Sequence, residues 1–204
     1  MKSKYKNLDK LILVDADGVL LDWEWAFSVW MQERGYTLTA DNKKSYYLHD
    51  HYNELSREDA PKMIKTFNES AAIGFLPALR DAMYYVKRLH EEYGYRFHCI
   101  TSLSTDPNAI KLREMNLAKL FGKTAFEKVI CLNTGAHKDD ALAEYKDTGC
   151  WWIEDKPENA EAGYNVGLRP LLIEHGHNMH YYHEHITVVK NWKHIYEVIT
   201  GQPA

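Results

Sequence analysis

LILVDADGVLLDW, residues 11–23, sets four apolar residues directly against two carboxylates, Asp15 and Asp17, with Gly18 next. Leu11–Val14 is apolar at successive positions, so it reads as a strand covered on both faces. A buried strand that ends on two like charges needs something positive close by. The rest of the chain can be searched for groups that would meet that need at the same place.

Other short apolar runs recur along the chain: Phe97–Ile100, Val129–Leu132, Trp151–Ile153, Leu171–Ile173 and Ile186–Val189. Longer amphipathic stretches separate them. Leu79, Met83, Val86 and Leu89 fall on one helical face, with Gly94 as a stop. Asp106-Pro107 reads as an N-cap followed by proline at the first helical position. Ala141, Leu142 and Tyr145 mark a short helix after Lys138, Pro157 opens another, and Asn191 caps Trp192–Ile199. Strand and helix in alternation predict a doubly wound α/β sheet, Rossmann-like, with a parallel sheet flanked by helices.

Residues 22–76 break that rhythm, because no strand pattern is found there. Trp23, Phe27 and Trp30 share a helical spacing, as do Trp25 and Val29, and a second helical stretch runs through Arg57–Glu69. The expected organisation is a catalytic core from residues 1–21 and 77–204, with a small helical cap, 22–76, inserted after the first strand.

Composition narrows the class of partner. The chain has 204 residues, 45% of them hydrophobic, which suffices for one full core. Its net charge of −4 argues against a nucleic-acid polymer as partner. There is no apolar run of about 18 residues, so no membrane span is expected. The basic start, MKSKYKNLDK, is followed by too short an apolar run for a signal peptide. Cys99, Cys131 and Cys150 lie in or beside apolar runs without metal-ligand spacing and read as reduced thiols of a cytoplasmic protein. The oligomeric state is left open.

In open α/β sheets ligands bind past the carboxyl ends of the strands. Asp15 and Asp17 follow the first run, Thr101-Ser102 the second, and Glu154-Asp155 the Trp151–Ile153 run, while Lys138 stands at a helix start. Carboxylates, hydroxyls and an ammonium delivered to one edge suit a hard divalent cation, Mg²⁺, together with a substrate phosphate. The corresponding chemistry is phosphoryl transfer. Asp15 attacks phosphorus to form an aspartyl-phosphate, and Asp17 acts as general acid and then general base. Thr101 and backbone N–H groups around Asp17 hold phosphoryl oxygens, and Lys138 offsets charge.

These residues resemble the motifs of the haloacid dehalogenase-like (HAD) superfamily. DADGV (15–19) is similar to its first motif, ITS (100–102) to the second, Lys138 to the third, and WIED (152–155) followed by Asn159 to the acidic fourth. The resemblance implies a Rossmann-like core, a Mg²⁺ site and, for the insert, the helical (C1) cap type. It places Asp155 among the metal ligands with Asp15 and Asp17, and offers Glu154 as a further candidate. An acid at position 17 favours phosphatases and phosphomutases. The likeness extends to the 5′(3′)-deoxyribonucleotidases, whose first motif resembles Asp15–Trp23 and whose fourth resembles Ile153–Pro157. Their late HNxH segment resembles His177–His180, and their NW pair Asn191-Trp192. Trp23 then matches a base-stacking position, and Gly18, Ser102 and Asn178 become substrate-side candidates. Glu154 in place of an Asp, Leu103 in place of a proline, and the unmatched segment between Gly35 and Ala72 depart from that pattern.

The expected activity is therefore a Mg²⁺-dependent phosphomonoesterase of a small phosphorylated metabolite, a nucleoside monophosphate first, with a sugar phosphate or a mutase reaction as the enzymatic alternatives. Two further readings stay open. One is a non-catalytic protein that kept the fold. The other is a metal-binding protein built on His175, His177, His180, His183 and His185. The plainer reading of that run is a solvated loop after the fifth strand. Trp23, Phe27 and Trp30 likewise read more simply as packing than as a ligand platform.

Overall fold

The computed structural model describes residues 8–39, 45 and 47–203. The parts of the expected core and cap that fall on 1–7, 40–44, 46 and 204 lie outside the described residues.

Six strands form one parallel sheet: β1 (Leu11–Val14), β2 (Arg96–Thr101), β3 (Phe126–Cys131), β4 (Trp151–Glu154), β5 (Arg169–Ile173) and β6 (Thr187–Val189). Their order is β3-β2-β1-β4-β5-β6. The chain winds outward from β1 in both directions, and the crevice at that reversal is where such sheets bind ligands. Each expected strand is present, β1 with the expected ends and the others with shifted ones. The largest shift is in β3, which starts at Phe126 rather than Val129. It is an edge strand, and Glu127 and Lys128 are exposed within it. A search for apolar runs passes over such residues.

β1 itself obeys the period of two within a fully buried run. Ile12 and Val14 enter the large core, and Leu11 and Leu13 join a second cluster with Leu142, Tyr145 and Trp152 on the opposite face. Helices α1 (Trp23–Gln32) and α2 (Ala60–Asn68) belong to the insert. The core helices are α3 (Ala82–Glu91), α4 (Pro107–Phe121), α5 (Asp139–Ala143), α6 (Pro157–Asn165) and α7 (Trp192–Thr200).

Local chemistry sets several of these boundaries. Asp106 Oδ1 accepts the N–H groups of Asn108 and Ala109 at 2.9 Å each, and Pro107 opens α4. Asn191 caps α7 by accepting the His194 N–H. The face expected for α3 needs correction. The helix begins at Ala82, so Leu79 precedes it, and Met83 is exposed. The inward positions are Ala82, Val86 and Leu89, the i, i+4, i+7 set, and Met83 lies about 100° away from Ala82 around the axis.

The helical insert enters and leaves on one ribbon. Asp22 N–H donates to Pro77 O at 3.0 Å, and Leu79 N–H to Leu20 O at 2.8 Å. Its core is aromatic. Phe27 stacks on Trp23 with ring centroids 4.7 Å apart, and Phe67 of α2 meets Phe27 and Trp30 edge-on. The Trp23–Phe27–Trp30 stripe thus packs the insert, and Trp25 and Val29 face outward. Among the described residues no helix is long and apolar enough to cross a membrane.

Candidate active site

β1 and β4 are neighbours with Val14 beside Ile153, and the ladder runs one step further, Asp15 N–H donating to Ile153 O at 2.9 Å. Asp15 therefore emerges level with Glu154 and Asp155. Carboxylate oxygens of these three residues lie within 4.8 Å of one another.

Lys138 is the positive group among them. It is buried just ahead of α5, with Nζ 2.8 Å from Asp15 Oδ1 and 2.8 Å from Glu154 Oε2. Burial pulls its ammonium toward neutrality, but Asp15 and Glu154 outweigh that and raise its pKa above the usual lysine value. Burial pushes the Glu154 carboxyl up to about 7, with Lys138 pulling it back. Asp155 is driven well above the ordinary carboxylate range, by burial first and then by the charges of Glu154 and Asp15.

The three carboxylates are not equivalent. Both oxygens of Glu154 are taken by the protein: Oε2 by Lys138, and Oε1 by the Lys156 N–H at 3.2 Å and Asn159 Nδ2 at 3.1 Å. Glu154 thus orients Lys138, and Asn159 orients Glu154. On Asp15, Lys138 and the Ala16 N–H both sit on Oδ1, at 2.8 and 2.7 Å. Among the described residues this leaves Asp15 Oδ2 and the Asp155 carboxylate as the oxygens facing a cation or a substrate. An oxygen-only donor set of clustered carboxylates fits a hard divalent cation.

Asp155 is fixed from behind. Its carbonyl accepts Asn178 Nδ2 at 2.7 Å and His177 Nε2 at 3.3 Å, and Asn178 also bonds Ile173 O and the His175 N–H. Asn178, a substrate-side candidate in the sequence, has its amide used entirely in this brace. In front, Gly18 adopts φ 76°, and a Cβ there would stand 2.4 Å from Asp155 Oδ2. Gly18 is needed because the loop and the carboxylate share that space. The Gly18 and Val19 carbonyls are held by His175 Nε2–H at 2.6 Å and Trp192 Nε1–H at 2.8 Å. Burial pushes His175 down to about 4, so it stays a neutral donor.

Thr101 ends β2 beside β1, and its hydroxyl is buried without a hydrogen-bond partner among the described residues. Such a group is costly unless something polar meets it. Ser102 Oγ donates to Ala136 O at 2.8 Å, so it ties β2 to the loop that carries Lys138.

Asp17 stands apart from this group. The sequence suggested it as a further cation ligand, but its carboxylate is gripped by Arg113 of α4, with Nη1 to Oδ1 at 2.6 Å and Nη2 to Oδ2 at 3.0 Å. A buried guanidinium fork balances the charge of its carboxylate through two parallel N–H donors. Burial raises the Asp17 carboxyl above its ordinary range, and Arg113 lowers it part of the way back. Arg113 was missed in the sequence because it lies in the middle of a helix, outside any strand-end motif, and His175 was read only as one of a histidine run.

Trp23 donates from Nε1 to Asn68 Oδ1 at 2.9 Å, and Asn68 Nδ2 donates to Leu103 O at 3.0 Å. The insert is thereby bonded to the loop after Thr101. The histidine run forms no cluster of metal-ligating side chains among the described residues. His175 and His177 instead bond the backbone of the two acidic loops.

With this geometry in hand, the fold is haloacid dehalogenase-like. Solved structures of that class superpose over nearly the whole chain. L-2-haloacid dehalogenase from Xanthobacter autotrophicus gives a TM-score of 0.62 at 13% identity, over 95% of this chain and 99% of that one. A HAD family hydrolase from Deinococcus radiodurans, with bound phosphate and sodium, gives 0.60 at 18% identity, over 96% and 98%. A haloacid dehalogenase-like hydrolase from Streptococcus pneumoniae gives 0.60 at 15%, over 91% and 96%. No protein-family model matches the sequence. A curated relative, the uncharacterized 32.4 kDa protein of the Gp30-rIII intergenic region of Enterobacteria phage T4, is 26% identical over 140 residues. The match covers 67% of this chain and 49% of that protein, so the chain spans about half the length of the relative.

Proposed function

We propose that this protein is a Mg²⁺-dependent phosphomonoesterase that works through an aspartyl-phosphate on Asp15. The observation that carries this reading is the meeting of Asp15, Asp155 and Lys138 at the reversal point of the sheet, with Glu154 spent on orienting the lysine. The phosphate bound in the Deinococcus radiodurans relative supports it.

Asp15 and Asp155 would hold the cation, which supplies charge neutralisation for an incoming phosphate dianion. The chain's own groups do the rest. Asp15 Oδ2 attacks phosphorus, while Lys138 on Oδ1 holds the carboxylate in place and stabilises the oxygens of the transferring group. The Thr101 hydroxyl, without a hydrogen-bond partner among the described residues, donates to a phosphoryl oxygen. Asp17 gives a proton to the leaving oxygen and then takes one from the water that hydrolyses the aspartyl-phosphate. A panel of phosphate esters assayed for free phosphate with Mg²⁺ and with EDTA tests the reading. Phosphate release that persists in EDTA, or none from any ester, would defeat it.

The close approach of Gly18 to Asp155 yields a sharp test of the cation site. Gly18→Ala is expected to displace the Asp155 carboxylate and to raise the Mg²⁺ concentration for half-maximal activity by about tenfold or more. An unchanged Mg²⁺ titration would remove Asp155 from the ligand set.

Within this class, a nucleoside monophosphate is the substrate we favour. Trp23 supports it: one ring face is covered by Phe27 at 4.7 Å, while the side chain stays half-buried beside the catalytic loop. Trp23→Ala should raise KM for nucleoside monophosphates about tenfold, and that for a small aryl phosphate far less. Equal changes would make Trp23 a packing residue and favour a sugar phosphate or another metabolite.

A further inference from the structure

Among the described residues Arg113 is the one group bonded to the Asp17 carboxylate, and it belongs to no recognised motif. It is fully buried in the middle of α4 and reaches Asp17 with both terminal nitrogens, while its Nε has no partner among the described residues. A buried ion pair is weak evidence for stability, because the desolvation of both charges offsets most of their attraction. A guanidinium left with an unmet N–H is poorer still in that respect. Its geometry is better suited to orientation. A bidentate fork fixes the plane of a carboxylate, and each oxygen keeps a further lone pair for a proton.

α4 is itself held in place for this contact. Gly74, in the segment returning from the insert, lets that helix approach so closely that a Cβ there would stand 2.8 Å from Leu112 Cδ2 and 2.9 Å from Met115 Cε. Asn116 Nδ2 donates to Leu76 O at 3.0 Å on the same side. The packing of α4 on the return segment thus sets where Arg113 meets Asp17.

We propose that Arg113 is the positioning residue for proton transfer at Asp17, so that formation of the aspartyl-phosphate depends on it for esters with poor leaving groups and not for esters with good ones. This rests on the phosphomonoesterase reading above. As Asp15 Oδ2 bonds to phosphorus, the ester P–O bond breaks and its electron pair goes to the leaving oxygen. An alkoxide needs a proton at that moment, and Asp17 supplies it and becomes a carboxylate. In the second half, water oxygen bonds to phosphorus, its proton passes to Asp17, and the P–O bond to Asp15 breaks with its pair returning to Asp15. A nitrophenolate leaves without a proton, so the first of these transfers matters only for alkyl esters. A tilted Asp17 would miss the leaving oxygen, whose position is set by the bound phosphate.

The test compares kcat and KM for para-nitrophenyl phosphate and for alkyl phosphates, nucleoside monophosphates among them. The proteins are the wild type, Arg113→Lys, Arg113→Met, Asp17→Asn and the Asp17→Asn/Arg113→Lys double variant. Arg113→Lys keeps the charge and loses the fork. Should Arg113→Met fail to fold, the lysine variant carries the comparison. For alkyl esters, kcat/KM, which reports formation of the aspartyl-phosphate and not its hydrolysis, is expected to fall by about 100-fold in the Arg113 variants, and for the nitrophenyl ester by less than about fivefold. Adding Arg113→Lys to Asp17→Asn should cost alkyl esters nothing further. Equal losses of kcat/KM on both ester types, or additive losses in the double variant, would overturn the positioning role while leaving the phosphatase reading intact. A wild-type chain inactive on every ester would instead overturn the reading itself, and the proposal with it.

Discussion

Asp15→Asn is expected to lower kcat for phosphate-ester hydrolysis by at least ~10³, about 4 kcal/mol of barrier. The substitution preserves the size of the side chain. The amide oxygen can still accept the Ala16 N–H that now meets Oδ1 at 2.7 Å. Lys138 keeps its second partner, Glu154, at 2.8 Å, so the strand end should hold its shape. What disappears is the anionic oxygen that attacks phosphorus and one of the two carboxylates available to a cation. Steady-state phosphate release, with circular dichroism to verify the fold, measures this. Turnover near the wild-type rate would remove Asp15 from the role of nucleophile.

Lys138→Met should be the most damaging change to stability at the site. Lys138 and Glu154 are both buried, and the ammonium holds Glu154 Oε2 as well as Asp15 Oδ1. Removing one member of a buried pair leaves the other charge uncompensated and costs about 3–5 kcal/mol. Urea unfolding in EDTA would register it as a lower midpoint at unchanged slope. The pH dependence has a definite sign. The Glu154 carboxyl already lies above its ordinary value, and without Lys138 it rises further. A carboxyl whose pKa is higher folded than unfolded destabilises the fold when ionised, so the deficit should shrink as pH falls and Glu154 takes up a proton. A deficit that is small at neutral pH, or that grows on acidification, would show that the lysine is not what balances these acids.

The strand positions were legible because a sheet covered on both faces demands continuous apolar runs, and LILV, CI, WWI and LLI supply them. Where that demand lapses the reading loses precision. β3 lies at the sheet edge and admits Glu127 and Lys128, so its start was missed. Met83 was assigned to the buried side of α3, since spacing alone allows neighbouring stripes and only the packing partner selects one. The aromatic residues of α1 had two readings in the sequence. Contacts with Phe67, far along the chain, draw all three rings into the insert's packing, with Phe27 and Trp30 buried and Trp23 half-buried.

The sequence by itself determined that acids, hydroxyls and a lysine lie just past separate strands, because a parallel sheet sends every such position to one edge. Their division of labour was decided by the tertiary structure. Glu154 and Asp155 are adjacent in the chain, yet one is bonded to Lys138 and Asn159 while the other faces Gly18. Asp17 is forked by an arginine from a helix that no motif announces. His175 and Asn178, read in the sequence as metal-binding and substrate-side candidates, brace the two acidic loops instead. Which charge meets which depends on distances of a few ångströms between segments remote in sequence, and local patterns carry no information at that scale.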